Sequence, residues 1–65
     1  MDPLRFNAPF NKEIQLEEAP FEGGMTLLRV RIKEGKRFTT LELDPATATT
    51  WAEAMLAWAA EQSQG

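Results

Sequence analysis

The sequence predicts an α+β fold, in which a three-stranded antiparallel β-meander is followed by one C-terminal α-helix packed on one sheet face. Two observations predict this class. Between residues 12 and 43, apolar side chains alternate with polar ones, which is the period of a half-buried strand. After residue 43 the chain becomes rich in alanine, the strongest helix former.

Residues 1–11 are predicted to form an irregular or extended N-terminal arm, outside a single β-β-β-α domain at residues 12–65. The arm contains Pro3 and Pro9, and proline lacks the amide donor that a sheet ladder needs. Its large apolar side chains leave two interpretations open: the arm docks on another surface, or it frays as many termini do.

Three strands are predicted at residues 12–18, 25–33 and 36–43. A loop at 22–24 joins the first two, because its glycines can adopt positive φ, and a two-residue loop at 34–35 joins the last two. A one-residue slip would turn an apolar set to solvent, which fixes the core face. That face comprises Ile14, Leu16, Leu28, Val30, Ile32, Leu41 and Leu43.

The two loops also predict which residues lie opposite each other. In the first strand pair, Glu17 lies opposite Arg29, so that opposite charges meet on the outer face. In the second pair, the loop at 34–35 places Leu28 opposite Leu41. Both registers keep the apolar residues on one side of the sheet.

The helix is predicted to begin after Asp44, a good N-cap, with Pro45 at its first position. At about 100° per residue, its apolar side chains form an arc that is broader than an ordinary amphipathic stripe. Trp51 and Trp58 share one side of the helix, either as sheet core or as a surface for a partner. The last two residues, Gln64 and Gly65, are expected to end the chain without further structure.

The chain of 65 residues is short, so one domain buries only a small core. Natural proteins of this size gain stability from disulfides, metals or partner chains. The sequence has no cysteine and no histidine, which excludes disulfides and removes the usual zinc ligands. We therefore expect no metal and no cofactor, and a partner chain in their place, most simply a second copy in a homodimer.

The residue inventory also argues against an enzyme. Histidine, cysteine and tyrosine are absent, and the single serine is Ser63 near the end of the chain. The commonest general base and the commonest nucleophiles are therefore missing or badly placed. No catalytic site and no small-molecule substrate are expected. The chain has no apolar run that could cross a bilayer and no signal-peptide pattern, so we expect a cytoplasmic protein.

The leading functional hypothesis is a small non-enzymatic protein that works through protein–protein contact. Aromatic residues and methionine are enriched at the centres of interfaces. The predicted interface residues are Trp51, Met55 and Trp58 on the helix and Phe21, Met25 and Leu27 on the outer sheet face.

The alternative hypothesis is a dimeric single-stranded nucleic-acid-binding protein that uses the stretch RVRIKEGKRF at residues 29–38. It holds five of the seven positive charges, and the predicted contacts are Arg29, Arg31, Lys33, Lys36, Arg37 and Phe38. Phe38 is predicted opposite Arg31, within reach of a cation–π contact. The net charge of −3 favours an ordinary sheet surface instead, because nucleic-acid-binding domains usually carry a basic excess.

The segment GKRFTTLELDPATATTWAEAML resembles the hairpin-to-helix end of transcriptional-coactivator-type single-strand-binding domains. The matching features are the turn at Gly35, the strand that ends at Leu43, Asp44 and Pro45, and the helix that carries Trp51. The resemblance implies a curved sheet, a dimer made by two helices, and single-strand binding. More broadly, the chain looks like the small bacterial proteins grouped as domains of unknown function, which implies no activity.

Overall fold

The computed structural model describes residues 1–63, which form an antiparallel sheet followed by one helix. The elements are β1 (Leu4–Ala8), β2 (Lys12–Pro20), β3 (Thr26–Glu34), β4 (Arg37–Leu43) and α1 (Pro45–Ser63). The strands pair in the order β1-β2-β3-β4. The α+β class, the meander and the C-terminal helix are confirmed, and the expectation for Gln64 and Gly65 lies outside the described residues.

The sheet has one strand more than the sequence predicts, because residues 4–8 of the arm predicted as irregular or extended form β1. The five residues of β1 pair with β2 along their whole length. Pro3 and Pro9 lie just before and just after β1, so neither ring interrupts the ladder. The sheet therefore starts inside the predicted arm.

The turn between β1 and β2 contains Phe10 and Asn11, with φ angles of 65° and 59°. Asparagine tolerates this left-handed region, whereas a bulky residue there costs roughly 1–2 kcal/mol. Phe10 is nevertheless 87% exposed, and the Lys12 ammonium lies 5.6 Å from the centre of its ring. The turn thus displays an aromatic ring at a strained position.

The register of β2 and β3 is confirmed, with Leu16 opposite Val30 and Glu17 opposite Arg29. Pairing continues to Pro20, beyond the predicted end of the strand at residue 18. A short 3₁₀ turn at Glu22–Gly24 then reverses the chain, and Gly23 and Gly24 adopt the positive φ that the prediction requires.

The register of β3 and β4 differs from the prediction by two residues, because Leu28 lies opposite Leu43 and not opposite Leu41. The loop consists of Gly35 and Lys36, and Gly35 has a φ of 60°. Positive φ at the first loop residue is the pattern of a type II′ turn, which requires glycine at that position. A shift of two residues keeps every side chain on its predicted face.

α1 begins where the sequence predicts, because Asp44 caps it. The Asp44 carboxylate accepts a hydrogen bond from the Thr47 hydroxyl and a longer one, 3.4 Å, from the Thr47 amide. The Thr47 hydroxyl lowers the pKa of the Asp44 carboxyl, since its hydrogen bond favours the charged form. The Ala48 amide donates to the Asp44 carbonyl at 2.9 Å and closes the first turn.

α1 covers the sheet incompletely. Within the described residues, the buried side chains are Ala19, Val30 and Leu43 alone, and the other five predicted core residues are half-buried. Every residue of α1 is exposed except Ala48, which is half-buried. The radius of gyration is 13.7 Å, whereas a closed domain of this length has about 11 Å. The prediction that the helix packs on one sheet face therefore holds only for part of its length.

Candidate functional site

An apolar groove of about 360 Å³ lies between α1 and the sheet. The sheet lines it with Phe6, Ile14, Leu16, Leu28, Val30, Ile32 and Leu43, and the helix with Ala48, Trp51, Ala52 and Met55. The lining is apolar apart from the indole N–H of Trp51, and it contains no charged side chain.

Two periodicities of the sequence create the groove. In each strand, the alternation of apolar and polar residues sends one apolar set to the face beneath α1. In the helix, Ala48, Trp51, Ala52 and Met55 are spaced by three and four residues, which places them on one side. The groove is where these two apolar surfaces approach each other without closing.

The rim of the groove exposes large apolar side chains. Phe6 on β1 is 50% exposed, and Trp51 and Met55 on α1 are 44% and 58% exposed. Contiguous apolar surface of this kind marks interaction sites in soluble proteins. The groove is therefore the candidate site for binding another molecule.

The structure brings together some of the predicted interface residues and separates others. Trp51 and Met55 line the groove, and Trp58 follows on the same side of α1 beyond the last lining residue. Leu27 projects from the opposite sheet face, where it lies across from the buried Ala19. The predicted helix residues thus form one surface, and Leu27 belongs to another.

The remaining predicted interface residues, Phe21 and Met25, flank the 3₁₀ turn between β2 and β3. The Phe21 amide donates a hydrogen bond to the Met25 carbonyl at 2.8 Å, which closes the turn. Both side chains are about half exposed, at 55% and 49%. They form a small apolar patch at the far end of the sheet, apart from the groove.

The sheet face opposite the groove carries charges that pair with each other. The Arg29 guanidinium lies 3.5 Å from the Glu17 carboxylate and 3.6 Å from the Glu42 carboxylate. Glu42 lies directly opposite Arg29 as a result of the two-residue shift of β4 from its predicted register. Arg29 is therefore shared between two acidic neighbours.

Phe38 lies on the same face and carries two cations above its ring. The Arg31 guanidinium is 4.8 Å and the Lys33 ammonium 6.0 Å from the ring centre. The predicted contact between Arg31 and Phe38 is present, although the residue directly opposite Phe38 is Lys33. Strand alternation places Arg37, opposite Glu34, on the groove side, so the six predicted nucleic-acid residues do not form one surface.

Sequence reasoning missed the contribution of β1 to the groove. Phe6 lines the groove and pairs with Ile14 on β2. The signal is present in LRFNA, where Leu4 and Phe6 alternate with Arg5 and an asparagine. The prediction gave more weight to Pro3 and Pro9 than to this alternation, although both prolines lie outside β1.

Two further findings concern the described residues. Residues 1–63 hold no group of three or more Asp, Glu, His or Cys side chains arranged to bind a metal ion. In the same part of the chain, no helix combines the length and the apolar character needed to cross a membrane.

Comparison with known proteins places the chain in a family. A family model described as a family of unknown function (DUF6967) matches residues 3–61, which include all four strands and most of α1. Searches of the curated proteins and of the solved structures returned no match.

Proposed function

We propose that this protein, which belongs to the DUF6967 family of unknown function, works through protein–protein contact and forms a homodimer through the apolar groove. The observation that carries this proposal is the open groove of about 360 Å³, lined by apolar side chains from both α1 and the sheet. An apolar surface gains stability when it leaves water, and the groove lacks the set of convergent polar groups that orients a small ligand.

The exposed area of the chain supports a partner of protein size. A folded monomer of 7.3 kDa exposes about 4,200 Å² according to the usual scaling. This chain exposes 5,464 Å², which is an excess of about 1,300 Å² over that scaling. Standard interfaces bury about 800 Å² on each partner, and obligate homodimers bury more. The excess is therefore of the size that a stable homodimer removes from water.

The residue inventory supports binding in place of catalysis. The sequence contains no histidine, cysteine or tyrosine, and these residues supply most general bases and nucleophiles. The groove contains no titratable side chain among its lining residues. A role in protein–protein contact agrees with both facts.

Sedimentation of the purified protein over a wide concentration range tests the proposal. We expect a species of twice 7.3 kDa that dissociates when Met55→Glu places a charge in the groove. Ala57→Glu is the matched control, because it adds the same charge on the opposite side of α1. A wild-type protein that stays at 7.3 kDa up to the highest concentration would refute the homodimer.

A second candidate function is single-stranded nucleic-acid binding by the basic hairpin. One observation favours it: Phe38 is 49% exposed and lies beside Arg31 and Lys33 on the face opposite the groove. Aromatic rings with neighbouring cations bind single strands by stacking and by phosphate contacts. Fluorescence anisotropy with a labelled oligonucleotide tests it, since salt-sensitive binding that Arg31→Glu abolishes would support this function. No binding at low salt would end it.

A further inference from the structure

The apolar stripe of α1 is longer than the groove that it lines. Trp51, Met55 and Trp58 follow each other at spacings of four and three residues and therefore share one side of the helix. The lining of the groove ends at Met55. Trp58 continues the same stripe and is 65% exposed. The second half of α1 thus presents the same apolar side as the first half, beyond the groove of its own chain.

We propose that two copies of the chain lay their helices side by side and antiparallel, so that Trp58 of each copy enters the groove of the other next to Trp51. This arrangement rests on the proposed homodimer and specifies its geometry. The two-fold axis passes between residues 54 and 55, because that position brings Trp51 of one copy level with Trp58 of the other. Each sheet then lies beneath the first half of its own helix and the second half of the partner's helix.

The sheet has room for a second helix. α1 contacts mainly β3 and β4, while Phe6 on β1 remains half exposed. The two uncovered strands, β1 and β2, span roughly 10 Å, and packed helices lie about 8–10 Å apart. A second helix therefore fits beside α1 over the uncovered half of the sheet.

The groove also has the volume that the incoming side chains need. An apolar cavity of about 150 Å³ holds one benzene molecule, so the groove of about 360 Å³ has room for more than one aromatic ring. Trp58 is the large apolar residue on the stripe beyond the groove, and a buried tryptophan removes about 150–250 Å² from water.

The charges of α1 allow this contact. Its charged residues within the described part of the chain are Glu53 and Glu61. At about 100° per residue, Glu53 lies on the side of α1 opposite the stripe, whereas Glu61 lies about 60° from Trp58, near the end of the helix. The stripe therefore meets no charged side chain among the residues that line the partner's groove. Antiparallel helices place the second half of each α1 over the partner's sheet. Parallel helices would leave the second halves of both helices without a sheet beneath them, so the antiparallel direction is favoured.

Distances between spin labels test the direction of the helices, and the chain has no native cysteine that would interfere. Single variants Thr49→Cys, Glu53→Cys and Glu61→Cys place the label at residues outside the stripe. Antiparallel helices separate equivalent labels along the axis by about 17, 5 and 20 Å, respectively, at 1.5 Å per residue. The expected distances are therefore shortest at residue 53 and longer at both other positions.

The results separate this inference from the proposed homodimer. A dimer with equal label distances at all three positions has parallel helices, which overturns the inference and leaves the homodimer standing. A protein without intermolecular label distances is a monomer, and both proposals fail. The described pattern of three distances supports both.

A variant pair tests the role of Trp58. Trp58→Glu should raise the dissociation constant of the dimer about 30-fold or more, as for a central interface tryptophan. Trp58→Phe should retain most of the affinity, and Ala57→Glu should leave it unchanged. Circular dichroism shows whether each variant still folds. An undiminished affinity in folded Trp58→Glu would overturn the assignment of Trp58 to the partner's groove.

Discussion

The two faces of the sheet differ in how far one chain completes them. On the face away from α1, side chains neutralise one another, and Arg29 lies 3.5 and 3.6 Å from two carboxylates. On the groove face, the side chains that line the groove are apolar, and α1 leaves about 360 Å³ open. The difference indicates that charge pairing satisfies the first face within one chain, whereas the second gains stability when another surface covers it.

Two neighbouring residues of β4 test this difference, because Leu43 and Glu42 point to opposite faces. Leu43 is 8% exposed, and Leu43→Ala should lower the free energy of unfolding by about 2–5 kcal/mol because it enlarges the groove. Glu42→Ala removes one exposed ion pair and should cost about 0.2–1 kcal/mol. Urea unfolding at one fixed protein concentration measures both, since association makes stability depend on concentration.

Equal losses of unfolding free energy in the two variants would contradict the expected difference between the two faces. They would mean that the charged face contributes as much to folding as the apolar one. The slope of the free energy against urea concentration serves as a control, because a changed slope reports a change in the unfolded or native ensemble.

The second prediction concerns the charged face alone. Arg29→Gln leaves the carboxylates of Glu17 and Glu42 without their shared cation. We expect the free energy of unfolding to fall by about 1 kcal/mol at low salt. The loss should be smaller in roughly 1 M NaCl, because the screening length falls to about 3 Å. Salt-dependent urea unfolding measures it.

Arg5→Gln is the matched control for Arg29→Gln. It removes the same charge from a residue that forms no ion pair within residues 1–63. A loss in Arg29→Gln that does not change with salt would show that packing of the arginine stem, and not its charge, stabilises this face.

The sequence predicted the β2–β3 pair well because two independent signals agree there. The apolar alternation fixed the faces, and the opposite charges of Glu17 and Arg29 agreed with the loop length. In the β3–β4 pair, alternation could not detect an error of two residues, because such a shift preserves both faces. The requirement for glycine at the first position of a type II′ turn would have selected Gly35 over Glu34.

The candidate site could be predicted only in part. Helical spacing identified Trp51 and Met55 as partner-facing residues, and both line the groove. The extent to which α1 covers the sheet could not be predicted, since periodicity gives the side of a helix and not its angle to the strands. The predicted site did not include Phe6, because the nearby prolines were taken as evidence against a strand.

The smallest expected effect belongs to the start of α1, which supports only the groove face. The Thr47 hydroxyl lowers the pKa of the Asp44 carboxyl below its ordinary value of 3.8. Because the folded pKa lies below the unfolded one, this cap contributes stability that is fully present above about pH 4. That contribution is lost as the pH falls through the folded pKa.

Asp44→Ser keeps a capping oxygen that does not titrate in this range. We expect the difference in melting temperature between wild type and variant, measured between about pH 3 and pH 6, to be constant above about pH 4. Below about pH 4, the wild type should lose more stability than the variant. The comparison of variants matters because the chain has nine other acidic residues, which both proteins share. A difference in melting temperature that does not change with pH would show that the charge of Asp44 does not stabilise the helix. Since α1 covers only the groove face, the acid-induced loss should weaken dimerisation.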